Sequence, residues 1–129
     1  MKYDLENRLV HFSICVIKLI NALPQDRVSS HLAGQLVRSG TAPALLYGEA
    51  QGAESRKDFV HKMRIALKEL RETFICLKII GEIGYTGTND LEKLTIENNE
   101  LISIFYKSIA TAERNLKDER RNLDNTETS

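Results

Sequence analysis

Residues 55–81 read SRKDFVHKMRIALKELRETFICLKIIG. Within this stretch Phe59, Met63, Ala66, Leu67, Leu70, Phe74 and Leu77 recur at steps of three and four, which places them on one face of an α-helix. Ser55 followed by Asp58 matches the pattern that caps a helix by satisfying its first free N–H groups. The glycines Gly81, Gly84 and Gly87 then break the pattern, as a helix stop followed by a turn does. A helix over 56–81 with one apolar face must bury that face, so the rest of the chain has to supply the cover.

Three further segments supply it. Leu5, Leu9, Phe12, Val16, Leu19, Ile20 and Leu23 form one stripe over 4–23, ended by Pro24, whose ring disfavours helical geometry at Leu23. Asp26 can cap a second helix over 27–53, with Val28, Leu32, Ala42, Leu46, Ala50 and Ala53 as its stripe and Gln35 and Ser39 between them. Pro43 follows Gly40 inside this segment, so the spacing predicts a kink near Pro43 rather than two helices. A fourth helix, 89–117, carries Leu91, Leu94, Leu101, Ile102, Phe105, Ile109, Ala112 and Leu116, with Asp90 and Glu92 at the favourable end of its dipole. Residues 118–129 are polar apart from Leu123, and the pattern predicts a frayed tail. Four long helices with short connections pack as antiparallel neighbours, so the expected fold is all-α, an up-down-up-down four-helix bundle over 1–117.

The 129 residues contain 18 Lys and Arg against 18 Asp and Glu, 42% hydrophobic residues, seven Gly and two Pro. That length makes one domain with a sizeable core. Zero formal charge excludes general stickiness for nucleic acid, and the low Gly and Pro content excludes collagen and most turn-rich β-sandwiches. Cys15 and Cys76 stand alone in helical patterns, which gives no disulfide framework and no C-x-x-C motif. Asp4 and Glu6 precede the apolar run Phe12–Ile17 and Lys18 interrupts it, so neither a signal peptide nor a membrane span is read. We expect a cytoplasmic protein with no membrane partner.

The first helix carries more apolar surface than one bundle face needs. Val10, Ile14 and Ile17 lie well over 90° from its core stripe. Ile65, Ile75 and Ile79 in the third helix and Ile96 and Ile104 in the fourth repeat the feature. Either the first helix is the most buried one of a monomer, or Val10, Ile14 and Ile17 line the interface of a homo-oligomer, which is the expectation adopted.

Charge is unevenly placed. Residues 50–81 hold seven Lys and Arg against four Asp and Glu, whereas residues 82–100 hold one Lys against five Asp and Glu. Lys57, His61, Arg64, Lys68 and Arg71 recur along the third helix as a basic stripe. It reads either as a solvated face with Asp58–Lys62 and Lys68–Glu72 pairs, or as a surface for the phosphate backbone of RNA or DNA. With few aromatics beside it, base stacking contributes little.

No catalytic constellation emerges. A di-iron bundle needs two Glu-x-x-His motifs; Asp58 with His61 is the nearest approach, and Arg8 and Val28 stand three residues before His11 and His31. No phosphate-binding Gly-Lys-Ser/Thr and no Gly-x-Ser-x-Gly elbow occurs. Gly48 and Gly52 read as close helix packing or as the unwinding of a helix end. No enzyme, no metal and no cofactor are expected.

Residues Arg38-Ser39-Gly40-Thr41-Ala42-Pro43-Ala44-Leu45-Leu46-Tyr47-Gly48-Glu49, continuing through Gly52 to Phe59, resemble the central motif of the four-helix bundle family of 23S rRNA intervening-sequence (S23-like) proteins. Residues 62–73 resemble that family's third helix, and the likeness spans roughly 5–115. The resemblance implies a bundle that assembles into a ring-like homopentamer. Relatives include the accessory variability determinant of diversity-generating retroelements, which engages a reverse transcriptase and nucleic acid, so a nucleic-acid enzyme is a further partner it implies. Leu46 and Ala42 depart from the Asn and Ser common at those family positions. Arg38 and Glu49 match family positions eleven residues apart, and are expected to form a structural ion pair within the bundle or between subunits.

Overall fold

The computed structural model describes residues 4–128. It contains α1 (Leu5–Asn21), α2 (Arg27–Gln51), α3 (Arg56–Ile83) and α4 (Thr88–Thr128). α1 packs against α2, α2 against α3, α3 against α4, and α4 closes back on α1; the diagonal pairs make no close backbone approach. Short connections at 22–26, 52–55 and 84–87 fix the antiparallel order, and the fold is the expected all-α bundle.

The starts of α1, α2 and α3 are each capped by a side chain accepting from a free N–H. Asp4 accepts from Asn7 N, Asp26 from Ser29 N at 2.8 Å, and Ser55 from Asp58 N at 3.0 Å. α3 stops at Gly84, whose φ of 72° a side chain would resist, and its N–H donates to the Ile80 and Gly81 carbonyls. Gly52 caps the end of α2, so of the two readings of Gly48 and Gly52 the helix-end one holds. α2 runs through the buried Pro43 as one helix, although Pro43 has no N–H for the Ser39 carbonyl.

The core comes from Leu9, Phe12, Val16 and Leu19 of α1, Leu32 and Leu36 of α2, Met63, Ala66, Leu70 and Leu77 of α3, and Leu94, Leu101, Phe105 and Ile109 of α4. Burying each Leu or Phe contributes about 1.5–3 kcal/mol. Tyr47 reaches Phe105 edge to face, with centroids 6.2 Å apart, and joins α2 to α4.

Two expectations are corrected. The buried line of α2 is Ser29, Leu32, Leu36, Ser39, Gly40, Pro43 and Ala50, so Leu32, Ser39 and Ala50 of the expected stripe are buried, while Val28 and Gln35 are exposed and Ala42 and Leu46 are half-buried. α2 is turned because α1 comes closest at Gly40, where no side chain intervenes. The tail predicted to fray after 117 is helical through Thr128. Arg56 Nε of α3 donates to Glu119 Oε1 at 2.7 Å, which ties the extended helix to the bundle where it has no apolar stripe.

Candidate subunit and nucleic-acid interfaces

The outer face of α1 is bare in the single chain. Val10, Ile14 and Ile17 are 45%, 44% and 41% exposed, directly behind the fully buried Leu9 and Val16. Val37 of α2 is also exposed, three residues before the Gly40 that meets α1. Ile75 and Ile79 of α3 form a second exposed pair beside the half-buried Cys76, whereas Ile65 and Ile104 are half-buried. Exposed apolar residues also occur singly elsewhere, at Leu45, Ile96 and Leu123 among others, whereas Val10, Ile14 and Ile17 stand aligned on one helix face.

Polar contacts set how the helices pair. Arg38 of α2 donates from Nη1 to Glu69 Oε2 at 2.9 Å and from Nη2 to Glu72 Oε2 at 2.8 Å, both on α3, and to Gln35 on its own helix. The Glu72 hydrogen bond and the Glu69 charge push the Arg38 pKa up. Glu69 is buried, a position a carboxylate holds when a cation compensates it. The expected Arg38–Glu49 pair is therefore not made within the subunit. Eleven residues of helix separate the two by about 16 Å, and Glu49 pairs instead with Lys62 at 3.7 Å. Glu72 is likewise taken by Arg38 rather than by Lys68. On the other side of the bundle, Arg8 Nε donates to Glu97 Oε2 at 2.6 Å and its Nη2 reaches Glu100, which ties α1 to α4. The pairing with Glu97 raises the Arg8 pKa above its ordinary value.

Two buried polar groups were invisible to pattern reading. Thr73 Oγ1 lies 2.9 Å from Ser39 Oγ and 2.9 Å from the Glu69 carbonyl, inside the α2–α3 contact. Asn98 is fully buried and donates to the Leu70 carbonyl at 3.1 Å. Both cross-link helices by hydrogen bonds that no hydrophobic period encodes.

All five members of the basic stripe, Lys57, His61, Arg64, Lys68 and Arg71, are exposed. Arg64 is paired with Glu113 of α4. The other four make no ion pair with a described residue. Among the described residues no three of His, Cys, Asp and Glu converge as metal ligands. The Cys15 Sγ lies 3.5 Å from His11 Nε2 in the groove between α1 and α4, and Cys76 is held protonated by burial, which raises its pKa. Among the described residues no helix is long and apolar enough to cross a membrane.

The model of the 23S rRNA-intervening sequence protein family matches residues 2–107. The chain belongs to that family. A crystal structure of a protein of unknown function from the S23 ribosomal protein family of Bacteroides thetaiotaomicron VPI-5482 is similar at a TM-score of 0.76 and 26% identity, covering 82% of this chain and 98% of that one. No curated protein matches.

This intervening-sequence protein carries α4 beyond the family match, from 108 to Thr128. The extension places Arg114, Lys117 and Arg120 along a groove whose opposite wall is Lys57, His61 and Arg64. Sequence reading missed Arg120 because it treated the segment from 118 as a frayed tail, and it left out Arg114 and Lys117, inside its own fourth helix, because it weighed the basic stripe on one helix alone. Their spacing of three residues was the available signal.

Proposed function

We propose that this intervening-sequence protein is a non-catalytic scaffold that assembles from identical copies through the outer face of α1. The observation that carries the reading is the exposure of Val10, Ile14 and Ile17 on a rigid helix whose opposite face is already fully packed. Covering such a face against another copy removes apolar surface from water at about 25 cal/mol per Å². The likeness to ring-forming relatives makes five copies the expected number. Ile14→Glu tests the face: a carboxylate enclosed by a neighbouring copy would be costly. The variant should keep its helicity and run as a single chain on size exclusion, and an unchanged assembly would place the interface elsewhere.

A second reading is favoured by the basic stripe. Lys57, Lys68 and Arg71 are exposed cations without ion-pair partners among the described residues, with the exposed His61 beside Lys57, in a chain whose total charge is zero. Under this reading the chain contacts the phosphate backbone of RNA or DNA as an accessory to a nucleic-acid process. Affinity for a structured RNA should fall steeply with added salt, because each neutralised phosphate releases counterions. Absence of binding at low salt, with the assembly intact, removes this reading.

A further inference from the structure

We propose that the site for a nucleic-acid backbone is not the α3 stripe as a whole but the groove of about 710 Å³ between the first half of α3 and the α4 extension. The inference rests on the second reading above and narrows it to a place and to one occupant, a phosphodiester strand.

Two antiparallel helices form the groove. α3 contributes Lys57, His61 and Arg64, and α4 contributes Arg114, Lys117 and Arg120. Steps of three and four residues space these side chains on each wall by about 4.5–6 Å. Two cross-helix pairs, Arg64 with Glu113 and Arg56 with Glu119, hold the walls in register. Glu113 is the one acidic residue lining the groove, and Arg64 already neutralises it. The remaining five side chains make no ion pair with a described residue. Residues 82–100 carry five acidic residues against one lysine, and Asp118, Glu119 and Asp124 of the extension lie outside the lining of the groove. The groove is thus a local positive field on a neutral chain, the electrostatic footprint of polyanion binding.

The lining chooses among polyanions. Its apolar members are Val60, Ala110 and Leu116, which line the groove itself rather than a protruding apolar ridge. A membrane-surface helix needs an apolar face that enters the lipid, and the groove offers none. It also has no aromatic on which a base could stack, so backbone charge is what it can read. Lys68 and Arg71 lie farther along α3, in a groove shared with α2 that α4 does not line, and serve as the comparison.

The test uses the full-length protein and fluorescence anisotropy with a structured RNA hairpin across a salt series. Arg114→Gln/Lys117→Gln/Arg120→Gln should lose at least about tenfold in affinity and flatten the salt slope by about three, one for each lost phosphate contact. Lys68→Gln/Arg71→Gln should lose less than about twofold by the same reasoning. Circular dichroism and size exclusion check that both variants keep fold and assembly. A second measurement needs no variant: RNA should protect Lys57 and Lys117, but not Lys68, from acetylation. If the wild type binds and the groove variant binds equally well, or Lys68→Gln/Arg71→Gln carries the loss, the groove assignment falls while the nucleic-acid reading stands. If the wild type does not bind at low salt, both fall. Binding to anionic lipid vesicles without binding to RNA, or competition by inorganic phosphate at concentrations comparable with the RNA, overturns the choice of a nucleic-acid strand.

Discussion

Gly40 of α2 sits so close to Val16 of α1 that a Cβ built on it would lie 2.7 Å from the Val16 Cγ1. The Ser13 hydroxyl uses the same approach, reaching the Gly40 carbonyl at 3.3 Å. The α1–α2 seam therefore depends on a missing side chain, and the orientation of α1, including its bare outer face, follows from that contact.

Gly40→Ala should destabilise the fold despite the higher helix propensity of alanine. The propensity gain is about 1 kcal/mol, whereas overpacking against a β-branched side chain with few rotamers costs about 1–3 kcal/mol. Gly34→Ala supplies the comparison, since nothing lies within 4 Å of its Cβ position; it should gain about 0.5–1 kcal/mol. Urea denaturation of both variants measures the contrast, and stabilisation by both would show that the seam has slack.

The Ser39–Thr73 contact should behave as a coupled pair. Thr73→Val leaves the buried Ser39 hydroxyl without its α3 partner, a loss of about 1–3 kcal/mol. Adding Ser39→Ala removes the orphaned group, so the double variant should be less destabilised than the sum of the singles. Strict additivity in a double-mutant cycle would mean that the 2.9 Å contact contributes nothing.

Stability should decline at alkaline pH in two stages. Burial, with the Glu72 charge, raises the Cys76 pKa; burial, with Glu6 and Asp4, raises that of Tyr47. A folded pKa above the unfolded one adds stability that is fully present below the unfolded value and is lost as pH rises through the folded value. The thermal midpoint should accordingly start to fall in the ordinary thiol range and fall further in the phenol range. Tyr47→Phe should flatten the second stage and Cys76→Ala the first, and equal slopes in all three proteins would contradict the assignment.

Much of the fold was legible in the sequence because three of the four helices carry unbroken apolar periods with their own stop and start residues, such as Ser55 before α3 and the glycines after it. α2 was legible in extent but not in rotation. Besides the expected Leu32, Ser39 and Ala50, its core line uses Ser29 and Gly40, small residues that hydropathy scores as surface, and only the approach of α1 reveals which side they face. The continuation of α4 was hidden for the converse reason: the Arg56–Glu119 pair supports it, with no apolar stripe to mark it. Arg38 was correctly singled out, but its partners Glu69 and Glu72 lie on another helix, and no spacing within α2 can point to them. Val10, Ile14 and Ile17 were legible as excess apolar surface, because their angle from the core stripe follows from helix geometry alone.

Light scattering on the full-length chain at micromolar concentration measures whether that excess is shared between copies. A particle several times the 14.6 kDa chain mass is expected for the wild type, reduced to one chain mass by Ile14→Glu with helicity retained. A wild type that scatters as a single 14.6 kDa chain would show that Val10, Ile14 and Ile17 face water in solution, and assembly through α1 would be wrong.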